Sequence, residues 1–123
     1  IVVLAMSRTY IPYLHSKKII HNINPQNFLS LIAKASLVIT DSFHATAMSI
    51  NFQIPFYSLV LERLSNDNRV YSLLLSLNAE DRAVEKGCDF DKLPPFVMDF
   101  SKVNEKLVLQ REKSIDYLKR TLL

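Results

Sequence analysis

A single glycine, Gly87, stands in a chain of 123 residues, where average usage of about 7% would supply roughly eight or nine. This scarcity excludes the glycine-rich phosphate loop and the dinucleotide fingerprint, both of which need several glycines so that backbone amides can approach phosphate closely. Any anion site must use another device. Cysteine is as scarce: Cys88 alone rules out an internal disulfide and every zinc site built on two or more thiolates, and it suits a reducing compartment. Apolar runs are short, because Lys34 and Asp41 break the richest stretch well below the roughly 20 residues of a bilayer span. Charge of one sign is also lacking. Fifteen basic against 12 acidic side chains leave a net +3, too little to argue for a nucleic-acid groove or a polybasic membrane tail. No metal and no nucleic-acid partner are expected, and any membrane association is expected to be peripheral.

The chain has no initiator methionine and no secretory n-region, and opens on Ile1-Val2-Val3-Leu4-Ala5, a strand without a lead-in. It reads as a piece of something longer. A hydrophobic share of 49% with 22% charged residues is an ordinary globular balance, sufficient for one core.

Residues 1 to 5 and Lys18 to Ile23 read as short strands, with a loop or irregular helix over residues 7 to 18 between them. Asn24-Pro25 then opens a helix to Ala35, whose Phe28, Leu29, Ile32 and Ala33 form a stripe expected to pack on a sheet. Leu37 to Thr40 predicts a buried third strand, a helix follows from Phe43 to about Asn51, and Pro55 to Val60 predicts a fourth strand. Such alternation implies right-handed crossovers and an α/β layered sandwich with a mostly parallel sheet. Past Leu61 the balance shifts, because residues 62 to 123 hold 11 basic and 11 acidic side chains against 4 and 1 before them. There the sheet is expected to end. A helix is predicted from Arg69 to Leu77 on Val70, Leu73, Leu74 and Leu77, with a connection over residues 80 to 100. A final helix is predicted over about 101 to 122, capped by Ser101, with Val103, Leu107, Ile115, Leu118 and Leu122 as its apolar stripe.

The stretch from Ala35 to Ala45 carries the chemistry, since a strand delivers Asp41, Ser42, Phe43 and His44 into a helix N-terminus. Ligands of open parallel sheets sit beyond the carboxyl ends of strands, where free amides and the helix dipole attract anions. A serine hydroxyl can accept from an amide or donate to a ligand oxygen, and a histidine beside an anion gains a charge-assisted bond as its cation. The plainer reading of these residues is a helix cap and a packing histidine. Arg69 is the second candidate for gripping a carboxylate or phosphate, with Asn68 capping the helix it starts, against a structural ion pair. Asp41 lacks the acidic pair and strand-end lysine of a phospho-acceptor domain, and His15 and His21 have no matching partners.

These residues resemble the C-terminal half of the polysaccharide pyruvyl transferase family. The likeness rests on Pro25, Phe28-Leu29, Ala35, Val38 to Thr40 and Asp41-Ser42-Phe43-His44. It continues in Ile54-Pro55-Phe56, Asn68-Arg69-Val70, Ser72-Leu73-Leu74 and the terminal helix with Arg111, Ser114, Tyr117 and Leu118, covering about residues 24 to 123. One departure is Ala45, where family members place glycine and where a methyl group would narrow the space for a ligand. The resemblance implies a Rossmann-like three-layer sandwich, the C-terminal, donor-side domain of a GT-B-like enzyme, with residues 1–123 as that domain and an N-terminal acceptor domain absent. It implies transfer of pyruvate from phosphoenolpyruvate to two hydroxyls of a sugar, forming a ketal in exopolysaccharide or cell-surface glycan biosynthesis. No cofactor is implied beyond phosphoenolpyruvate as donor substrate, the acceptor is a lipid-linked or polymeric glycan, and the setting is cytoplasmic. By likeness His44 is catalytic, and Ser42, Phe43, His44, Asn68 and Arg69 bind the donor. The residues by themselves also admit a sugar-nucleotide transferase of the same architecture and a non-catalytic α/β assembly module.

Overall fold

The β-branched runs form strands, and every strand pairing among the described residues is parallel. The computed structural model describes residues 2–5, 18–61, 68–85 and 87–123. One pair consists of β1 (Val2–Ala5) and β2 (Lys18–His21). The irregular segment expected over residues 7 to 18 lies, apart from Lys18, outside the described residues, as does His15. A second sheet has the order β3 (Val38–Thr40), β4 (Phe56–Val60), β5 (Ala83–Glu85). Between these strands run α1 (Pro25–Ala33), α2 (Phe43–Phe52) and α3 (Arg69–Ser76), and α4 (Ser101–Leu122) closes the chain.

Because β3, β4 and β5 step across the sheet in one direction, right-handed crossovers put α2 and α3 on the same face. Phe56, Ser58 and Val60 turn towards those helices, and Phe56, Val60 and Ala83 join Ile50, Val70, Leu74, Leu77, Phe100 and Val103 in one buried core. The other face is only partly covered. There Arg82 lies over the Tyr57 ring and reaches the carbonyls of Pro95 and Val97, while the Tyr57 hydroxyl donates to the Pro94 carbonyl at 2.7 Å. Ile39 and Leu59 on this face stay 63% and 47% exposed.

Several expectations need correction. The sheet does not end after the fourth strand, because Ala83-Val84-Glu85 pairs with β4; three residues among charged neighbours give too short an apolar run to be read. The third strand is not buried throughout, since its second residue, Ile39, faces the thinly covered side. The stripe on α1 meets α2 rather than the sheet, with Ile32 buried while Leu29 and Ala33 remain exposed. On α4, Val103 is buried and Leu107 packs on the core, but Ile115, Leu118 and Leu122 are 52%, 51% and 75% exposed. Arg111 still touches the body through Asn51 Oδ1 at 3.1 Å, and the apolar stripe beyond it is uncovered among the described residues.

Ser101 is the first residue of α4 rather than its cap. The Asp99 carboxylate accepts from the Ser101 amide at 2.9 Å and from its hydroxyl at 2.6 Å. Those two bonds hold the Asp99 carboxyl below its usual range. A depressed folded-state value means that the contribution is present above the ordinary carboxylate range and is lost as pH falls through the lowered value. Amide-exchange protection at Ser101 is therefore expected to persist through mild acid and to vanish in strong acid. Asp99→Ala should abolish it at neutral pH, and protection unchanged by that substitution would contradict the assignment. No helix among the described residues is long and apolar enough to cross a membrane.

Candidate functional site

Two helices start at the carboxyl edge of the three-stranded sheet, each capped by a side chain that the sequence supplies at the turn. Ser42 leaves β3 in an extended conformation and its Oγ accepts from the Ala45 amide at 3.4 Å, opening α2. Asn68 accepts from the Tyr71 amide at 3.0 Å, opening α3. The first helical bond of α2 runs from the Thr46 amide to the Ser42 carbonyl at 3.0 Å. The Phe43 and His44 amides therefore have no partner within the helix, as helix geometry demands of its first residues.

The side chains at this edge converge through a ring. Phe43 is half-buried against the core, and His44 meets it edge-on with ring centroids 5.8 Å apart. Arg69, the first residue of α3, holds its guanidinium 5.7 Å from the centroid of the same Phe43 ring. The fold thus brings His44 and Arg69 each against one aromatic ring, and both are exposed. No carboxylate pairs with Arg69 among the described residues, and most of the loop after β4 that the ion-pair reading invokes lies outside them. Of the plainer reading, the cap holds at Ser42, and His44 touches Phe43 but is exposed rather than half-buried.

Electrostatics at this edge favour negative charge. Neither α2 nor α3 has an acidic residue in its first turn, so the positive dipole ends are uncompensated from within. An arginine at the start of α3 is disfavoured by that helix's own dipole, and an anion bound above it would reconcile the two. Asp41, exposed at the end of β3, is the acidic neighbour. Ala45 is 4% exposed, so its methyl group lies in the interior and does not narrow the space above the turn. That corrects the expectation drawn from its replacing glycine.

Three hydroxyls that sequence reading passed over support the turn from below. Thr40 Oγ1 accepts from the Ser42 amide at 3.0 Å, and Thr46 Oγ1 donates to the Ser42 carbonyl at 3.0 Å. Ser58, next to Thr40 in register on β4, lies 2.8 Å from Thr46 Oγ1. Thr40 and Thr46 flank Ser42 at two residues before and four after, a spacing that could have flagged them; Ser58 is found only through strand register.

A cavity of about 390 Å³ is lined by Asn78, Glu80, Asp81, Arg82, Met98, Asp99, Lys102 and Val103, none of them a residue of this edge. Arg82, in its lining, sends its hydrogen bonds to the Pro95 and Val97 carbonyls. Among the described residues no three His, Cys, Asp or Glu side chains gather as a metal site would require.

The family model described as polysaccharide pyruvyl transferase matches residues 4–62, the family that the Ser42-Phe43-His44 stretch resembles. The match takes in α1, β3, the turn with His44, α2 and β4, and it starts earlier in the chain than the motifs suggest. It ends before Asn68 and Arg69, whose candidacy rests on the geometry at the Phe43 ring. No curated protein and no solved structure matches the chain.

Proposed function

We propose that this chain contributes the donor-binding side of a polysaccharide pyruvyl transferase, and that phosphoenolpyruvate docks on the edge formed by Ser42, Phe43, His44, Asn68 and Arg69. The observation that carries the reading is the meeting of two helices without acidic residues in their first turns, with exposed His44 and Arg69 against one phenyl ring. The donor is a compact trianion at most, and its phosphate and carboxylate suit free amides and a guanidinium. The family implies a polysaccharide acceptor.

The reaction needs a proton delivered to the terminal enol carbon, addition of two sugar hydroxyls to the neighbouring carbon, and loss of inorganic phosphate. In this reading the Phe43 and His44 amides hold phosphate oxygen, Arg69 grips the carboxylate or phosphate in two-point fashion, and Ser42 keeps the turn open towards the ligand. A protonated imidazole at His44 suits either a phosphate clamp or delivery of the proton. The described residues supply no general base for the sugar hydroxyls near His44 except Asp41. A second, acceptor-side domain of a GT-B-like pair fits that need, and a further layer over Ile39 and Leu59 would complete the three-layer sandwich. Donor chemistry of this kind belongs in the cytoplasm, with peripheral contact to a lipid-linked glycan.

Two converging helix N-termini also suit a diphosphate, so a sugar-nucleotide transferase is the competing reading. Calorimetric titration of the full-length protein distinguishes them. Phosphoenolpyruvate is expected to bind with an affinity that weakens as salt is raised, while a sugar nucleotide gives no heat of binding. Tight nucleotide binding with no response to phosphoenolpyruvate would overturn the proposal in favour of the second transferase, and silence towards both would favour a non-catalytic module.

A further inference from the structure

Thr46 and Ser58 are fully buried, each with 0% exposure, and neither is the residue that packing alone would choose. Threonine is a modest helix former, serine is a poor strand former, and Ser58 sits between Phe56 and Val60 in the central strand of its sheet. A valine or alanine at either place would join the apolar core without bringing in a polar group. When local preference is overruled at two touching positions, a demand elsewhere is the usual reason.

The bonds have a direction. A threonine hydroxyl carries one proton, and that of Thr46 is committed to the Ser42 carbonyl at 3.0 Å. In the 2.8 Å contact between the two side chains, Ser58 must therefore be the donor. The chain runs from Ser58 through Thr46 to Ser42, and its links polarise one another in a dry setting. On the other side of the same residue, Thr40 Oγ1 accepts the Ser42 amide proton. Both backbone groups of Ser42 are thus held by side chains, the amide by Thr40 on β3 and the carbonyl by Thr46 on α2, and Thr46 in turn rests on Ser58, the register partner of Thr40. The bond to the Ser42 carbonyl fixes the Ser42–Phe43 peptide plane, which carries the Phe43 amide and from which the His44 amide follows one residue on.

We infer that Ser58, acting through Thr46, is a positioning residue for the Ser42–His44 turn. The inference rests on the donor site proposed above for its link to catalysis. Ser58 has no access to a ligand, so its influence on one must pass through the turn.

The test uses the full-length protein carrying Thr46→Val together with Ser58→Ala. Replacing both partners of a buried bond by apolar groups of similar shape leaves stability nearly unchanged, so the melting temperature is expected to stay within a few degrees of the parent. Amide-exchange protection at Ser42, measured without substrate, is expected to fall about tenfold or more, and kcat for pyruvate transfer about 10- to 100-fold, as for a site loosened by a fraction of an ångström. Thr46→Ser, which keeps the hydroxyl, should restore both to within about threefold. Unchanged Ser42 protection with unchanged kcat in the double variant would overturn the inference. If the parent itself transfers no pyruvate, the functional reading fails while the exchange measurement still decides whether Ser58 positions the turn. Should the double variant not fold, Ser58→Ala alone gives the same readouts, and wild-type values in both would again overturn it.

Discussion

Substituting His44 by alanine in the full-length protein is expected to lower kcat/KM for pyruvate transfer by about 100- to 10,000-fold, the range for removing a positioned acid or base. The imidazole stands exposed on the first turn of α2, edge-on to Phe43, so its loss leaves no hole in the core. Melting temperature should therefore hardly move, which separates a chemical role from a structural one. The kinetic split identifies the role. A phosphate clamp shared between ground and transition states appears as a raised KM for phosphoenolpyruvate with kcat preserved, whereas a proton donor appears as a fall in kcat with KM nearly unchanged. Arg69→Ala should act on KM foremost, since a two-point grip on an anion is made before the reaction begins. Undiminished transfer by the His44 variant would remove the residue from the site.

The largest loss of stability is expected at Arg82. Its side chain is 4% exposed, holds its guanidinium over the Tyr57 ring 5.6 Å from the centroid, and donates to the Pro95 and Val97 carbonyls at 2.9 and 3.3 Å. It fastens the 87–100 connection across the face of the sheet that α2 and α3 do not cover. Arg82→Met keeps much of the volume but deprives two carbonyls of a charged donor, a loss of about 3 kcal/mol in unfolding free energy. Its ion-pair partner Asp81, 3.7 Å away, is 61% exposed, so that carboxylate remains solvated and adds little to the loss. Lysine should not rescue, because one compact ammonium cannot serve both carbonyls as the forked guanidinium does. Urea unfolding measures the effect, and a change below about 0.5 kcal/mol, the range of ordinary surface substitutions, would show that the connection holds without this strut.

Much of the fold can be read from local pattern, and the exceptions share a cause. Asn24, Ser42 and Asn68 declare their helices because capping is a short-range device, and each side chain accepts the amide proton three residues on. Val70, Leu73, Leu74 and Leu77 declare α3 by their spacing. β5 is missed because its strand character comes from β4 beside it, not from Ala83-Val84-Glu85. The outer half of α4 has the same apolar stripe as its inner half, but a stripe states only that a helix can be covered, not that anything covers it. At the site, Ser42, Phe43 and His44 are adjacent in sequence and legible there. The approach of Arg69 to the Phe43 ring is tertiary, as is the register that brings Ser58 under the turn. Ser101 does not act as the cap because it is already the first residue of α4, and its amide and hydroxyl both donate to the Asp99 carboxylate two positions earlier.

The most direct test follows backbone amide resonances of the isotopically labelled full-length protein while phosphoenolpyruvate is added. The account predicts saturable shifts at the Phe43 and His44 amides, with smaller ones at Arg69, and loss of those shifts when inorganic phosphate competes. Resonances of Phe43 and His44 that stay in place while others titrate would contradict it.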